Sequence, residues 1–309
     1  MTLVRQVTYD SGMGGGAGLF LIVNLIAGHG RCKAVFPKVR AELDRRGVEY
    51  ELHYTNEPQE ATDVAKWGIE AGFRRIAAMG GDGTVNEVAN GMLGKDAVLV
   101  VIPAGTGNDF VRMLAIPADP IAALDVVAGG REQVMDIGRV GDDRCFVNGL
   151  GIGIDAQVAR DVLEMERLHG TAAYLSAAVK EVARFKAFPL SIESADWRLD
   201  LACLSVGVAN GKYAGGGFKL APKASVTDGM IDVSAIADYS RLERLVRLPR
   251  VRAGKHLHWR KVHYRQLAEA TFTSPDKLIA HMDGEPYRLP SDSFKVRVLP
   301  GALRVLVPA

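Results

Sequence analysis

The chain has 309 residues, 48% hydrophobic and 24% charged, which is enough apolar content to bury a full core and excludes a disordered chain. Its net charge of +2 comes from Lys and Arg spread along the sequence and excludes a nucleic-acid protein recruited by bulk charge. Cys32, Cys145 and Cys203 have no CxxC spacing, so neither a zinc site nor a disulfide framework is expected.

The first stretch, through "YDSGMGGGAG", is Gly-rich without a signal-peptide apolar core, and residues 1–18 are expected to be a flexible extension. "LFLIVN" (Leu19–Asn24) is a short apolar run ending at glycines, which predicts a buried parallel strand. "CKAVFPKVRAELDRRG" carries apolar residues at helical spacing and stops at Gly47, a natural C-terminal cap. The alternation continues with "VEYELHYT" as strand, "ATDVAKWGIEAG" as helix and "RRIAAMG" as strand. "TVNEVANGML" then predicts a helix and "AVLVVIPAG" a fourth strand. Such alternation predicts an α/β fold with a parallel sheet covered on both faces and sites at the strand carboxyl ends. Glycine-rich junctions fall at three of these ends, Asn24–Gly30, Gly80–Thr84 and Gly105–Asn108, and point to one nucleotide cleft.

After "DPIAALDVVAGG" (Asp119–Gly130) the pattern changes. "REQVMDIGRVGDDRCFVNGLGIG" predicts two strands joined at "GDD", and Asp155 to Phe185 a helical pair broken near Gly170. Beyond Phe188, "LSIES", "WRLDLACLSVGVAN", "MIDVSAIAD", "KLIAHMDG", "FKVRVLP" and "LRVLVPA" predict short antiparallel strands, hence a β-rich second domain. Ser240 to Gln266 is strongly basic with interleaved aromatics. It reads as solvated surface, with contact to anionic lipid as the functional rival.

Gly80, Gly81 and Gly83 let backbone amides approach phosphate oxygens, at the positive end of the helix starting near Thr84. The structural alternative for Asp82 is a cap on that same helix. "IPAGTGNDFVRML" repeats the design, with Gly105 and Gly107 around Thr106, and Asn108 or Asp109 as cap. "MDGEP" reads on its own residues as an Asp-Gly hairpin turn. His53, His169 and His281 read as structural or surface residues, and the Met and Leu positions of Asp161–Phe185 as core.

"GGDGTVNEVANGM" followed by "PAGTGNDFVR" closely resembles the paired motifs of the diacylglycerol kinase catalytic-domain family, in particular its soluble bacterial lipid kinases. The resemblance runs from Leu19 through "NGKYAGGGFKLAPKASVTDGMIDV" to "HMDGEPY". It implies an NAD-kinase-like nucleotide domain with a parallel sheet, residues 19–130, plus a second β-rich, β-sandwich-like domain, residues 131–290. The last strands, residues 291–309, would pack back against the nucleotide domain. The implied activity is ATP- and Mg2+-dependent phosphorylation of the hydroxyl of diacylglycerol or a related lipid alcohol. NAD kinases share GGDGT, so an NAD kinase is the rival enzyme, and a non-catalytic nucleotide- or lipid-binding regulator the rival of another class.

Carried over by motif, the ATP site comprises Asn24, Gly28, Thr55, Gly80, Gly81, Asp82, Gly83, Thr84, Glu87 and Thr106. In the first junction "NLIAG" places Leu25 and Ala27 where the family has proline and serine, which removes one hydroxyl contact. The resemblance implies Glu285 as the proton acceptor, Asp82 as its rival, and Asp283 as a further catalytic carboxylate. "ASVTDGMIDV" is similar to a magnesium segment, with the Asp228 carboxylate and the backbone carbonyls of Ser225 and Met230 as ligands. No apolar run approaches the ~20 residues that span a bilayer. For a lipid acceptor, the resemblance implies action in the cytoplasm, peripheral at the inner membrane surface. Partners would be a lipid substrate in the membrane and a transient anionic membrane contact, with no nucleic acid; a homodimer stays open.

Overall fold

The computed structural model describes residues 18–142, 144–163, 176–177, 179–182 and 184–309. The expected extension, up to residue 17, and the helical break near Gly170 lie outside these residues. The first strands form where the sequence is continuously apolar. β1 (Leu19–Val23) and β4 (Val98–Pro103) are buried along their whole length, and β3 (Arg75–Gly80) is buried from Ile76 onward. With the more open β2 (Tyr50–Tyr54) they run parallel in the order β2–β1–β3–β4. Parallel neighbours need crossovers, and the chain supplies helices α1 (Arg31–Arg45), α2 (Glu60–Glu70) and α3 (Asp82–Met92). α2 packs on α3 over one face of the sheet, and α1 lies beside α5 (Pro120–Gly129). The short α4 (Asp109–Met113) follows β4.

Gly47 ends α1 as expected, with φ +65, and Val48 donates its N–H back to the Leu43 carbonyl at 3.1 Å. α5 begins at Pro120, and the Asp119 carboxylate caps it by accepting from Ile121 and Ala122.

The second half is antiparallel, as its alternating pattern requires. Its elements are β5 (Arg131–Val140), β6 (Cys145–Phe146), β7 (Gly149–Gly153), α6 (Ile154–Leu163), β8 (Phe188–Ser194), β9 (Trp197–Ala209) and β10 (Ile231–Ala237). Then follow α7 (Arg241–Arg252), β11 (Val262–Leu267), β12 (Glu269–Thr273), β13 (Ala280–Met282), β14 (Glu285–Tyr287) and β15 (Ser293–Val307). A second apolar core, around Phe146, Ile152, Phe272 and Val296, fills the space between these strands.

Three expectations need correction. The strand expected through "RCFVNGLGIG" is split into β6 and β7, because the N–H groups of Val147, Asn148 and Gly149 turn to the Asp283 carboxylate instead of a ladder. "FKVRVLP" and "LRVLVPA" form one strand, β15, with a register shift between Leu299 and Leu303. There Gly301 donates its N–H to Asp136 at 2.8 Å. The basic segment, expected as solvated surface, holds α7 and then β11, and buries His256 and Val262.

β15 joins the two halves. Its first residues pair with β12 and its last run parallel to β4 through Arg304–Val98 and Val305–Leu99. One hydrogen-bonded path therefore runs β14-β13-β7-β9-β8-β12-β15-β4-β3-β1-β2. This brings the "MDGEP" hairpin, almost two hundred residues downstream, back to the carboxyl ends of β3 and β4.

Candidate active site

The three glycine-rich junctions meet. Ala104 and Gly105 both donate to the Gly80 carbonyl, at 2.8 and 3.0 Å. Backbone touches backbone here: a side chain on Gly105 would place its Cβ 2.4 Å from the Gly81 Cα. Gly28, with φ +63, abuts the Ala104 carbonyl in the same way. Asn24 at the end of β1 donates to the Thr84 hydroxyl at 3.2 Å. Asn24, Gly28, Gly80, Gly81, Gly83 and Thr84 thus form one cradle, and Gly105 and Thr106 border it. Thr106 is exposed, beside a polar cleft lined by Arg31, Asn108 and Arg112. Thr55 is buried at the end of β2, its N–H donating to the Val23 carbonyl.

The helices around this cradle differ in how their first N–H groups are satisfied. An α-helix leaves its first N–H groups without intrahelical partners. Those of α2 and α4 are met by carboxylates from α3. Glu87 accepts from Gln59 at 2.9 Å and Ala61 at 3.3 Å, and Asp82 from Phe110 at 3.0 Å and Asp109 at 3.2 Å. Asp82 therefore caps α4, not the helix that carries it. Asn108 supplies no side-chain cap; it has φ +50 and turns its amide to the Gly105 carbonyl. The N–H groups of Arg31, Cys32, Lys33 and Ala34 in α1 are all taken by nearby carbonyls. Among the described residues, the N–H groups of Asp82, Gly83 and Thr84 meet no acceptor. The start of α3 is the open positive end, and an anion fits there.

Glu285, the first residue of β14, reaches this open end. Its Oε1 lies 3.0 Å from where a Gly83 Cβ would stand, so the bare glycine lets the carboxylate cross the first turn of α3. It accepts no hydrogen bond among the described residues. Burial raises its pKa above 4.5; the charges of Glu87 and Asp82 add to the rise, and those of Arg144 and His281 oppose it. A carboxylate with a raised pKa, beside an anion seat, suits proton transfer.

Asp283, expected beside Glu285 as a catalytic carboxylate, points the other way. It is buried with φ +50 and accepts four N–H groups: Val147, Asn148 and Gly149 at 2.8 Å and Asn86 at 2.7 Å. Burial raises its pKa, and these donors work against the rise. With four donors on its two oxygens it ties the hairpin that carries Glu285 to α3 and to the β6–β7 loop.

Asp109 lies against Asp82, and burial followed by the Asp82 charge pushes its carboxyl up to about 7. Arg112 pairs with it, and the Gly216 N–H donates to it at 2.8 Å. Burial also pushes the Asp82 carboxyl up, against the pull of the two N–H groups it caps.

The expected magnesium segment forms a turn between Ser225 and Met230. Asp228 is exposed, and its carboxylate receives the Met230 N–H at 3.1 Å and the Gln266 amide at 3.4 Å. Gly229 donates to Asp136. The fit to magnesium rests on Asp232 nearby: it is buried, it accepts from the Tyr264 hydroxyl on one oxygen, and among the described residues its Oδ2 is left without a close donor. The charge of Asp228 raises the Asp232 pKa further, so a cation between the two would relieve both. The donors are all oxygens, as magnesium prefers. Among the described residues, no group of three or more His, Cys, Asp or Glu gathers as a metal cluster.

Sequence reasoning missed Arg144 and His281 as neighbours of Glu285, and Asp155 as the partner of His281. Arg144 donates to Asn86 and faces the glutamate. Asp155 Oδ2 lies 3.6 Å from His281 Nε2, while His281 Nδ1 accepts from Gly284. Beyond Asp155 opens an apolar cavity lined by Val158, Leu204, Phe218, Leu248 and Trp259. No local motif marks these residues, because Arg144 meets Asn86, and Asp155 meets His281, from distant parts of the chain.

Comparison with known proteins agrees with this fold. The family described as "Diacylglycerol kinase catalytic domain" matches residues 18–140, and "YegS C-terminal NAD kinase beta sandwich-like domain" matches residues 149–307. A protein of Pseudomonas fluorescens named "Probable lipid kinase YegS-like" is 32% identical over 287 residues, 91% of this chain and 93% of the relative. One of the same name from Chromohalobacter salexigens is 29% identical, over 89% of this chain and 90% of its own. The crystal structure of a candidate diacylglycerol kinase from Bacillus anthracis superposes with TM-score 0.79 at 24% identity, covering 94% of this chain and 97% of that one, a likeness of fold.

Proposed function

We propose that this chain, which belongs to the YegS-like lipid kinase family, transfers the terminal phosphoryl group of ATP to the hydroxyl of diacylglycerol or a related lipid alcohol, with Mg2+. The observation that carries this reading is the meeting of Glu285 with the uncapped start of α3. Phosphoryl transfer needs positioning, charge neutralisation and a base for the attacking hydroxyl, and little covalent chemistry from protein. The N–H groups of Asp82, Gly83 and Thr84 seat the phosphates, with Asn24 holding the Thr84 hydroxyl in place. Glu285, across Gly83, accepts the proton of the lipid hydroxyl as its oxygen attacks.

An apolar cavity supports a lipid as the acceptor. The apolar cavity between α6, α7 and the sheet has Asp155 at its edge, and Asp155 adjoins the hairpin that carries Glu285. Apolar tail and polar hydroxyl are thereby separated as a lipid alcohol needs. Asp82 acts by holding α4 against the cradle, with Asp109 and Arg112 behind it. Bound magnesium would neutralise charge on the transferring phosphates and, at Asp228 with the carbonyls of Ser225 and Met230, would brace the second half of the molecule. Among the described residues no helix is long and apolar enough to cross a membrane, so the chain would work from the membrane surface.

The test is a radiolabelled-ATP assay over diacylglycerol, other lipid alcohols and NAD, scored by product identity. Label on a lipid hydroxyl, lost in Glu285→Gln, is expected. Label on NAD alone, or no acceptor at all, overturns the reading.

A further inference from the structure

We propose that the outer face of α7 is the surface with which this protein docks on an anionic lipid bilayer. The inference deepens the lipid kinase reading and rests on it for the purpose of docking, though not for the docking itself. α7 holds five arginines against one glutamate in twelve residues, and none of its residues is buried. Its start is firmly set: Ser240 and Glu243 form a capping box, which occupies the one acid.

The helix is amphipathic in an unusual sense. Its inner side is partly polar: Arg244 bonds the carbonyls of Val182, Phe185 and Tyr239, and Arg247 lies over the rings of Tyr239 and Trp259 at 4.5 and 4.7 Å. The outer side is apolar: Leu242 is 72%, Val246 61% and Leu245 39% exposed. At about 100° per residue, Leu242, Val246 and Pro249 fall within about 60° of one another, opposite Arg244, Arg247 and Val251. Arg241 and Arg252 border this stripe on one side and Arg250 on the other, all exposed. Apolar residues that sink into the acyl boundary, flanked by cations that meet headgroup phosphates, are the design of a helix lying in a membrane interface.

What lies beneath supports a bilayer as the occupant. Leu248 and Val251, on the inner side of α7, line the apolar cavity that reaches Asp155. A helix seated in the interface therefore sets that cavity against the membrane. Trp259 and Tyr264, aromatics of the basic stretch, are not part of this surface. Trp259 is packed on Arg247, and the Tyr264 hydroxyl donates to Asp232.

The experiment is flotation of the full chain, without ATP, with vesicles of phosphatidylcholine alone or with added phosphatidylglycerol. Two variants are compared, Leu242→Gln with Val246→Gln, and Arg241→Gln with Arg250→Gln; all four side chains are exposed and outside the cavity. Wild type should bind the anionic vesicles at low salt and be released by added salt. The arginine variant should lose about 30-fold in partitioning and the apolar variant about tenfold or more. Both should keep their melting temperature and their turnover on short-chain diacylglycerol in detergent. Equal vesicle binding by wild type and both variants at low salt overturns the proposal. So does sedimentation showing that the variants break a dimer while vesicle binding is unchanged, which makes the face a contact between copies. Absence of turnover on every lipid would defeat the kinase reading and leave the flotation result to decide docking by itself.

Discussion

The carboxylate of Asp82 accepts the backbone N–H of Phe110 at 3.0 Å, so an acid that opens α3 caps the next helix along. Glu87, farther along α3, does the same for α2. Both acids of the nucleotide motif thus hold neighbouring helices in place and leave the start of α3 bare for an anion. Removing the Asp82 cap should be felt in stability as well as in turnover. Asp82→Ala is expected to cost about 1–2 kcal/mol and to lower the melting temperature. Asp82→Asn, which keeps one acceptor oxygen, should melt between Asp82→Ala and wild type while turnover falls sharply in both. Thermal melts alongside kinase assays decide this; unchanged melting in Asp82→Ala would mean that the cap contributes nothing.

Glu285 is the group whose loss should strike chemistry alone. Replacing it with Gln removes a base, for which about 10²- to 10⁴-fold in turnover is the usual scale. ATP affinity should hold, because the N–H groups of α3 are untouched. Its raised pKa gives a sign to the pH profile: a base works when deprotonated, so the acid limb of kcat should sit above the ordinary carboxylate range near 4.5. Arg144→Gln removes a charge that holds this pKa down and should move the limb to higher pH still. A limb that is unmoved in Arg144→Gln, or one that survives in Glu285→Gln, assigns the base elsewhere.

Asp283 and Glu285 are two residues apart and should behave differently. Asp283→Ala strands three backbone N–H groups and the Asn86 amide in the interior, at about 1–3 kcal/mol for each donor left without water or partner. The expected outcome is a large loss of melting temperature or failure to fold. A variant that melts like wild type and loses only kcat would return Asp283 to the catalytic group.

How far the sequence foretold these roles depends on the distance over which each is played. The parallel strands were legible because Leu19–Val23, Ile76–Met79 and Val98–Ile102 are unbroken apolar runs, and only a sheet covered on both faces buries them. The glycines of the cradle were legible because a turn that backbone must approach closely excludes side chains. The direction of a carboxylate was not. Asp82 and Phe110 are 28 residues apart and Asn86 and Asp283 are 197 apart, and nothing local tells an acid which helix end it will meet. β11 and β12 escaped notice for a different reason: Val262, Leu267, Ala270 and Phe272 are buried, but Arg265, Gln266, Ala268 and Glu269 between them face water and blur the alternation.

Asp109 gives a pH dependence to stability. Its folded pKa, about 7, lies above its ordinary value of 3.8, so the folded state binds this proton more tightly. The stability it contributes is full below the ordinary value and is lost as pH rises through about 7. Asp232 and Glu285, also raised, act in the same sense. The melting temperature should therefore fall by several degrees between pH 5 and pH 8, and Asp109→Asn, which cannot ionise, should flatten that slope. A variant with the wild-type slope would place the titration on another group.

The last prediction concerns Asp228. It lies in the turn whose Gly229 N–H donates to Asp136, and the other Asp136 oxygen holds the Gly301 bulge of β15. A magnesium ion at Asp228 would therefore brace the strand that joins the two halves, and the Asp232 Oδ2 nearby, left without a close donor among the described residues, would gain a counter-charge. Ligands that bind only the folded state raise stability by mass action, so the wild-type melting temperature should climb with magnesium concentration and be indifferent to potassium at matched ionic strength. Asp228→Ala should lower melting temperature and turnover together, and added magnesium should restore neither. Measuring the shift without ATP keeps the nucleotide's own magnesium out of the result. A wild-type protein whose melting is unmoved by magnesium at any concentration has no such brace, and the turn would then be held by Asp136 alone.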